Sequence, residues 1–252
     1  MSKNKIYDCV TFFDENLLTN LRFEVLNEVV DYFIVCESKY DHKNREKKIN
    51  FKLLNKSFEN KVRHIVIDKP FPSNLDFWQI EEYQREKIIE SIKDAMDDDY
   101  IIYSDSDEIP NPALLKEINL KKKYGIFLQD FYVYNFDTFN HYETPWDGSK
   151  ICKKRNLKSI TYLRKKIKSS NLKKSLWKIF IPKSIQLYNQ GGWHFNNFYS
   201  PEKISLKLKT FQHTEFADEK FSNVEVIKDK IQKLIDLFER GHRYKKIKNN
   251  KK

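Results

Sequence analysis

The first 104 residues alternate short apolar runs with amphipathic stretches, and this alternation constrains the fold more than any other feature of the 252-residue chain. Ile6 to Phe13 is too short for a helix and too continuously apolar for a loop, so it reads as a strand. Asn16 to Val30 follows, with Leu17, Leu18, Leu21, Val25 and Val29 near helical spacing. Tyr32 to Cys36 and Val62 to Ile67 repeat the strand signal, separated by a polar interval with a weak helical stretch around Phe51 to Phe58. After the turn signals Pro70, Pro72 and Asn74, the segment Phe77 to Met96 is predicted to be one long helix, stopped by Asp97 to Asp99. Tyr100 to Ser104 then reads as a buried strand. Strands that alternate with helices imply an α/β fold, a Rossmann-like, mostly parallel sheet flanked by helices.

The second half is less regular. Gly125 to Phe136 is predicted as a strand pair, Trp177 to Ile181 as a further strand, Ser200 to Lys209 as a short helix, and Val224 to Arg240 as a final helix stopped by Gly241. No internal repeat or low-complexity linker is present, so residues 1–244 read as one domain whose halves divide near residue 120, and 245–252 as a basic tail.

Composition sets the class. Apolar residues at 40% and aromatics at 15% are too many for a disordered chain, and 33% charged residues give a hydrophilic surface. Cys9, Cys36 and Cys152 are odd in number, and the first two sit in apolar runs, which fits reduced buried thiols in an intracellular compartment. The start, MSKNKIYDCV, lacks the apolar stretch of a signal peptide, and no run of ~20 apolar residues occurs. The expected location is therefore cytoplasmic, with no transmembrane segment. A formal charge of +11 favours anionic partners, and much of the excess lies in Lys153 to Lys174 and the tail. Within that basic run Lys153, Lys154, Arg155, Arg164, Lys165 and Lys166 could meet a phosphate-rich acceptor or lipid headgroups, or form a solvated face, and no catalytic role is assigned to them.

The chemistry concentrates at Ser104-Asp105-Ser106-Asp107-Glu108-Ile109-Pro110, directly after the fourth strand. In open α/β sheets ligands collect beyond the carboxyl ends of the strands. Two aspartates at i and i+2 can each offer an oxygen to a hard divalent ion that a nucleotide diphosphate would bridge, while a plain turn is the competing reading. A second cluster comprises Gly191-Gly192-Trp193-His194-Phe195 and Phe211-Gln212-His213-Thr214-Glu215-Phe216. Its histidines are either metal ligands or buried, hydrogen-bonded core residues. Arg85 could contact phosphate oxygens or pair with Glu81 or Glu82.

With these blocks in order, and with Tyr7 to Glu15, Leu21 to Leu26, Val30 to Ser38, Tyr83 to Arg85, and Lys207 to Phe216, the chain resembles glycosyltransferase family 17 over most of its length. The resemblance implies a GT-A-like fold and an inverting transfer from a UDP-sugar, UDP-N-acetylglucosamine, to a glycan hydroxyl. It implies a divalent metal, Mn²⁺ or Mg²⁺, held at Asp105 and Asp107, with His213 as a third contact. Thr11, Phe12 and Glu37 at the first two strand ends are assigned to uridine and ribose, and Arg85, Trp193 and His194 complete the donor-binding set. The general base that inversion requires is sought among Glu215, Asp130 and Asp147, with Glu215 preferred for its place in a matched block.

Animal members carry an N-terminal membrane anchor and lumenal cysteines, whereas this chain begins almost at its first strand. The expected acceptor is accordingly a surface glycan or lipopolysaccharide intermediate, lipid-linked and met by peripheral contact with an anionic membrane face; no nucleic acid is expected. Two rivals remain on the residues alone. A phosphohydrolase or phosphotransferase would use Asp105 as nucleophile, but such enzymes place that pair after the first strand. A nucleic-acid-binding module would use the positive charge, but the aromatics fall mainly in core-like strands.

Overall fold

The computed structural model describes residues 4–175, 177–210 and 218–247. Its first half contains β1 (Ile6–Phe12), α1 (Asn16–Leu26), β2 (Tyr32–Ser38), β3 (Val62–Ile67), α2 (Phe77–Lys87), β4 (Tyr100–Ser104), β5 (Glu108–Pro110) and α3 (Pro112–Lys116). There follow β6 (Tyr124–Val133), β7 (Thr138–Phe139), β8 (Trp146–Lys153), α4 (Ile160–Lys166), β9 (Ile185–Tyr188), β10 (Gly192–Asn196), α5 (Pro201–Thr210), α6 (Glu219–Ser222), α7 (Val224–Gln232) and β11 (Lys245–Lys246). They form two compact units, one of residues 4–129 with Asp147–Gly192 and one of Asp130–Trp146 with residues 193–247.

In the first unit the strand order is β3-β2-β1-β4-β8-β6. β3, β2, β1 and β4 run parallel, and β8 is antiparallel to β4. The chain moves outward from β1 to β3, then returns to lay β4 on the other side of β1. That reversal makes the carboxyl ends of β1 and β4 a topological switch point, the position where open α/β sheets form a ligand-binding crevice. Period-2 alternation assigns the faces. Tyr7 and Cys9 of β1 join a buried cluster with Ile80 of α2, Ile88 and Ile92 just after it, and Ile160 and Leu163 of α4. Asp8 points the other way, toward α1, where Phe23 also packs on Phe33 of β2 at a ring separation of 4.6 Å. Helices thus cover both faces of a mostly parallel sheet, the α/β architecture read from the sequence.

The cysteines Cys9, Cys36 and Cys152 are free and buried. Burial pushes the thiols of Cys36 and Cys152 up to about 12, so they stay protonated and pack as small apolar groups.

α2 starts where Asp76 and Gln79 form a capping box, each side chain accepting from the other's backbone N–H at 2.9 and 2.8 Å. The single helix expected to reach Met96 ends instead at Lys87 and tightens into a 3-10 turn at Ile88–Ser91. Ile88 and Ile92 are both fully buried in the same cluster, and that packing overrides helical propensity. The helical stretch expected around Phe51 to Phe58 is reduced to a 3-10 turn at Lys56–Phe58. The strand expected at Trp177 to Ile181 is absent: the segment is turns, with Trp177, Ile179 and Phe180 between 81% and 91% exposed. An alternating apolar pattern cannot distinguish a half-buried strand from an apolar tip on the surface.

In the second unit the end of β6 pairs in parallel with β10, from Trp193 opposite Asp130 to Asn196 opposite Val133. β7 is antiparallel to β6 and carries β11 on its far side, in place of the simple strand pair expected over Gly125 to Phe136. α5, close to its predicted span, packs with α7 around Ile204, Ile227 and Leu237. α7 stops at Gln232, short of the expected Arg240. Leu234 turns left-handed at φ 54°, and the Asp236 carboxylate accepts from the backbone of Phe238 and Arg240, a turn that competes with the helix.

Gly192 has φ +117°, and a Cβ there would lie 2.1 Å from the Ile109 carbonyl oxygen. Both the conformation and the contact with backbone exclude a side chain. A Gly192→Ala variant is expected to lose about 1–3 kcal/mol or more, read as a lower denaturant midpoint at unchanged slope.

Candidate functional site

The acidic segment sits where β4, buried along its whole length, leaves the sheet. Asp105 to Glu108 form a β-turn in which the Glu108 N–H donates to the Asp105 carbonyl at 3.0 Å. The Asp105 N–H donates in return to Glu108 Oε2 at 3.2 Å. The turn holds the Asp105 side chain 36% exposed, leaves Asp107 half-buried, and buries Glu108 completely.

Beneath this turn lies a buried polar network. Arg22 of α1 is fully enclosed and clamps Asp8 of β1 through Nε and Nη2, each at 2.5 Å from a carboxylate oxygen. Its Nη1 donates to the Glu108 carbonyl and its Nη2 to Ser104 Oγ at 2.8 Å. Ser104 Oγ donates to Ser149 Oγ at 2.7 Å, which also accepts from Gln129 Nε2 at 3.1 Å. Room for Gln129 comes from Gly148, where a Cβ would fall 1.9 Å from Gln129 Oε1. An ion pair taken out of water this completely is a poor way to gain stability. What this one does is fix the backbone at Ser104 and Glu108, on either side of the two aspartates.

Three cations feel the charge of the turn, and one of them, Arg164, pairs with it directly. Arg164 of α4 donates from Nη2 to Asp105 Oδ2 and lies 3.4 Å from Glu108 Oε1. Burial alone would lower its pKa, but Asp105 and Glu108 outweigh that and hold it above the ordinary arginine value. Lys150 of β8 is 1% exposed and donates to the carbonyls of Asp147 and Gly148 at 2.9 and 3.1 Å. Burial pulls its pKa down to about 8, helped by Arg164 and opposed by Glu108, Asp147 and Asp105. Arg85 of α2, 4% exposed, pairs with Glu81 at 2.6 Å and donates from Nε to the Tyr103 hydroxyl at 3.1 Å. Its Nη1 has no hydrogen-bond partner among the described residues. Desolvation opposes its charge, yet Tyr103, Glu81 and Asp105 together raise its pKa.

The other residues singled out from the sequence take up varied places. Thr11, one residue before the end of β1, has its hydroxyl 3.2 Å from the Tyr103 hydroxyl, and Phe12 is buried edge-to-face against Phe51. Glu37 is fully buried. It accepts from the Lys47 ammonium at 2.7 Å and from the backbone of Asn50 and Phe51, with His64 3.4 Å away, so it anchors the loop after β2. Those hydrogen bonds outweigh burial and hold its carboxyl below the usual range. Asp147 accepts from the Ser169 N–H at 2.8 Å. In the second unit, Asp130 and Trp193 are register partners, and desolvation raises the Asp130 carboxyl. His194 packs between Phe131 and Trp146. His213 and Glu215 lie outside the described residues.

The sequence assigns no role to Asp8, Arg22, Lys150 or Glu108, and it places Arg164 in a basic run that reads either as a contact for a phosphate-rich acceptor or lipid headgroups or as a solvated face. Only one of them leaves a sequence signal: Asp8 is a carboxylate on an otherwise apolar strand, which must be paired if buried.

The model for glycosyltransferase family 17 matches residues 1–247. Among individual proteins, the β-1,4-mannosyl-glycoprotein 4-β-N-acetylglucosaminyltransferase of Rattus norvegicus is 23% identical over 240 residues, covering 84% of this chain and 44% of the relative. The Homo sapiens enzyme of the same name is 24% identical over 227 residues, covering 79% and 42%. The chain thus spans less than half the length of the curated relatives it matches. Similar solved structures include a glycosyltransferase involved in glycosylation of the major capsid of PBCV-1, at TM-score 0.34, 13% identity and coverage of 73% and 81%. Another is glucosyl-3-phosphoglycerate synthase of Mycobacterium tuberculosis in complex with Mn²⁺, UDP and phosphoglyceric acid, at TM-score 0.40, 10% identity and coverage of 75% and 69%.

Proposed function

Since the chain belongs to glycosyltransferase family 17, we propose that the crevice at the ends of β1 and β4 binds a UDP-sugar, UDP-N-acetylglucosamine, and that the sugar passes with inversion to a glycan hydroxyl. The observation that carries this reading is the acidic turn at the topological switch point, held rigid from below by Arg22 and flanked by Arg164, Lys150 and Arg85. Among the described residues no three His, Cys, Asp or Glu side chains are grouped to hold a metal ion unaided. Asp105 and Asp107 nevertheless fit a hard divalent ion that completes its shell with diphosphate oxygens and water, as Mg²⁺ commonly does. When bound, such an ion screens the charge of the departing diphosphate.

The remaining work falls to the protein. Arg164 and Lys150 offset two of the three negative charges of Asp105, Asp107 and Glu108, so the turn keeps about one net negative charge until a divalent ion and a diphosphate arrive together. The unpartnered Nη1 of Arg85 supplies a donor for a phosphate oxygen without costing an existing hydrogen bond. Thr11 and Phe12 take the nucleoside side, and Glu37 acts through the loop it anchors. Deprotonation of the acceptor hydroxyl is assigned to Glu215 or Asp130; the residue responsible is the one whose amide variant keeps donor binding and loses transfer.

Calorimetric titration of UDP and UDP-N-acetylglucosamine with Mn²⁺ and with EDTA tests the assignment. Binding that requires the metal is the expected result. A protein that binds no uridine nucleotide when metal is present would overturn the donor site. Arg164 competes for Asp105, so Arg164→Gln is expected to bind Mn²⁺ more tightly than wild type when nucleotide is absent, read from the same titration.

A further inference from the structure

From Gly148 to Pro201 the chain contains thirteen lysines and arginines and not one aspartate or glutamate, so this stretch alone exceeds the net +11 of the whole protein. Part of that charge is spent inside the first unit. Lys150 is buried, Arg164 pairs with Asp105, Lys153 and Arg155 with Asp98, and Lys165 with Glu82. Of the rest, Lys166, Lys168, Lys173, Lys174, Lys178 and Lys183 lie between the end of α4 and the start of β9. Lys166, Lys168 and Lys174 line an open groove of about 380 Å³ whose other wall is Phe180, Ile181 and Pro182. Beside it, Trp177, Ile179 and Phe180 stand 91%, 90% and 81% exposed, with Leu172 at 41%. A folded domain has no reason of stability to hold a Trp, an Ile and a Phe together in water on a tip ringed with lysines.

We infer that this face docks on an anionic phospholipid bilayer, the lysines meeting headgroup phosphates while Trp177, Ile179 and Phe180 enter the interface. The two chemistries match the two layers of such a surface. Lysines near an anionic leaflet each add roughly fivefold to partitioning at moderate salt, and Trp and Phe seat at the headgroup level with apolar neighbours just below. Ile179 and Leu172 discriminate against a nucleic-acid partner, which would use aromatic faces for stacking and gain nothing from aliphatic side chains. The face is also fixed to the proposed donor site, because the helix whose C-terminal residues Lys165 and Lys166 lead into it carries Arg164. An acceptor presented at a membrane would therefore meet the enzyme from the bilayer side.

Vesicle co-sedimentation of the full chain tests this, using phosphatidylcholine vesicles with and without 30% phosphatidylglycerol. The expected result is binding to the anionic vesicles only, weakened by 0.5 M salt. Lys173→Glu/Lys174→Glu should reduce partitioning at least 25-fold, taking roughly fivefold for each lysine lost. Trp177→Ser/Phe180→Ser should reduce it at least tenfold, with metal-dependent UDP binding unchanged in both variants because the tip is solvent-exposed. Equal binding to both vesicle types, no loss in the apolar variant, or binding to a single-stranded oligonucleotide in preference to anionic vesicles would each overturn the inference. UDP binding reports on the donor site separately.

Discussion

An Asp105→Asn/Asp107→Asn variant is expected to lose metal-dependent UDP binding in calorimetry and at least about 10³-fold in transfer rate, while its thermal midpoint stays within a few degrees of wild type. The size follows from what the carboxylates supply. Positioning a divalent ion against a departing diphosphate is worth several kcal/mol of transition-state stabilisation, and each 1.4 kcal/mol is about tenfold in rate. The small effect on stability follows from exposure, since Asp105 is more than one third exposed in a turn whose backbone Arg22 grips at the Glu108 carbonyl. Asparagine keeps shape and turn propensity, so a loss of binding would report on charge alone. Retention of metal-dependent UDP affinity in this variant would remove Asp105 and Asp107 from the metal site and shift attention to Glu108.

The second large effect is expected beneath the site. Arg22→Met leaves Asp8, 1% exposed, as a buried carboxylate without its counter-ion. Breaking a buried pair from one side costs about 3–5 kcal/mol. A domain of this size shifts by ~2–4 °C per kcal/mol, so the thermal midpoint should fall by about 6–20 °C. Replacing both partners, as Asp8→Leu/Arg22→Met, removes the uncompensated charge and should restore most of that loss. Function should not return with stability, because the double variant still lacks the guanidinium that grips the Glu108 carbonyl and Ser104. A double variant as stable as wild type and equally active would show that the pair does not position the acidic turn. One no more stable than Arg22→Met would show that the cost came from lost packing and not from the stranded charge.

These two predictions separate what the chain discloses from what it hides. Asp105 and Asp107 were legible because two local signals coincide: a run of apolar residues that must be a buried strand, and a tripeptide of turn formers followed by proline. Asp8 and Arg22 lie fourteen residues apart, on a strand and a helix, and only the packing of α1 on the sheet brings them together. Arg164 is a sharper case. In the sequence it belongs to a basic run whose natural reading is a solvated face, yet it lies 59 residues from the aspartate it binds. Glu37 shows a different limit: its place near the end of β2 is visible in the sequence, but that its oxygens hold the loop that follows is visible only in the fold.

The sequence by itself determined the layered α/β architecture, the succession of β1 to β4 along the chain, and the location of the acidic turn. Each of these is encoded in local periodicity and turn chemistry, which act over a few residues and need no partner to be recognised. Tertiary structure alone decided where α2 and α7 end, whether the apolar residues at Trp177 to Ile181 join the sheet or stand in water, and which cations of a uniformly basic run turn inward. Those outcomes depend on whether a distant surface or counter-charge is available to receive the side chain. Burial and ion pairing are energies of a pair, and one segment of sequence carries only half of each pair.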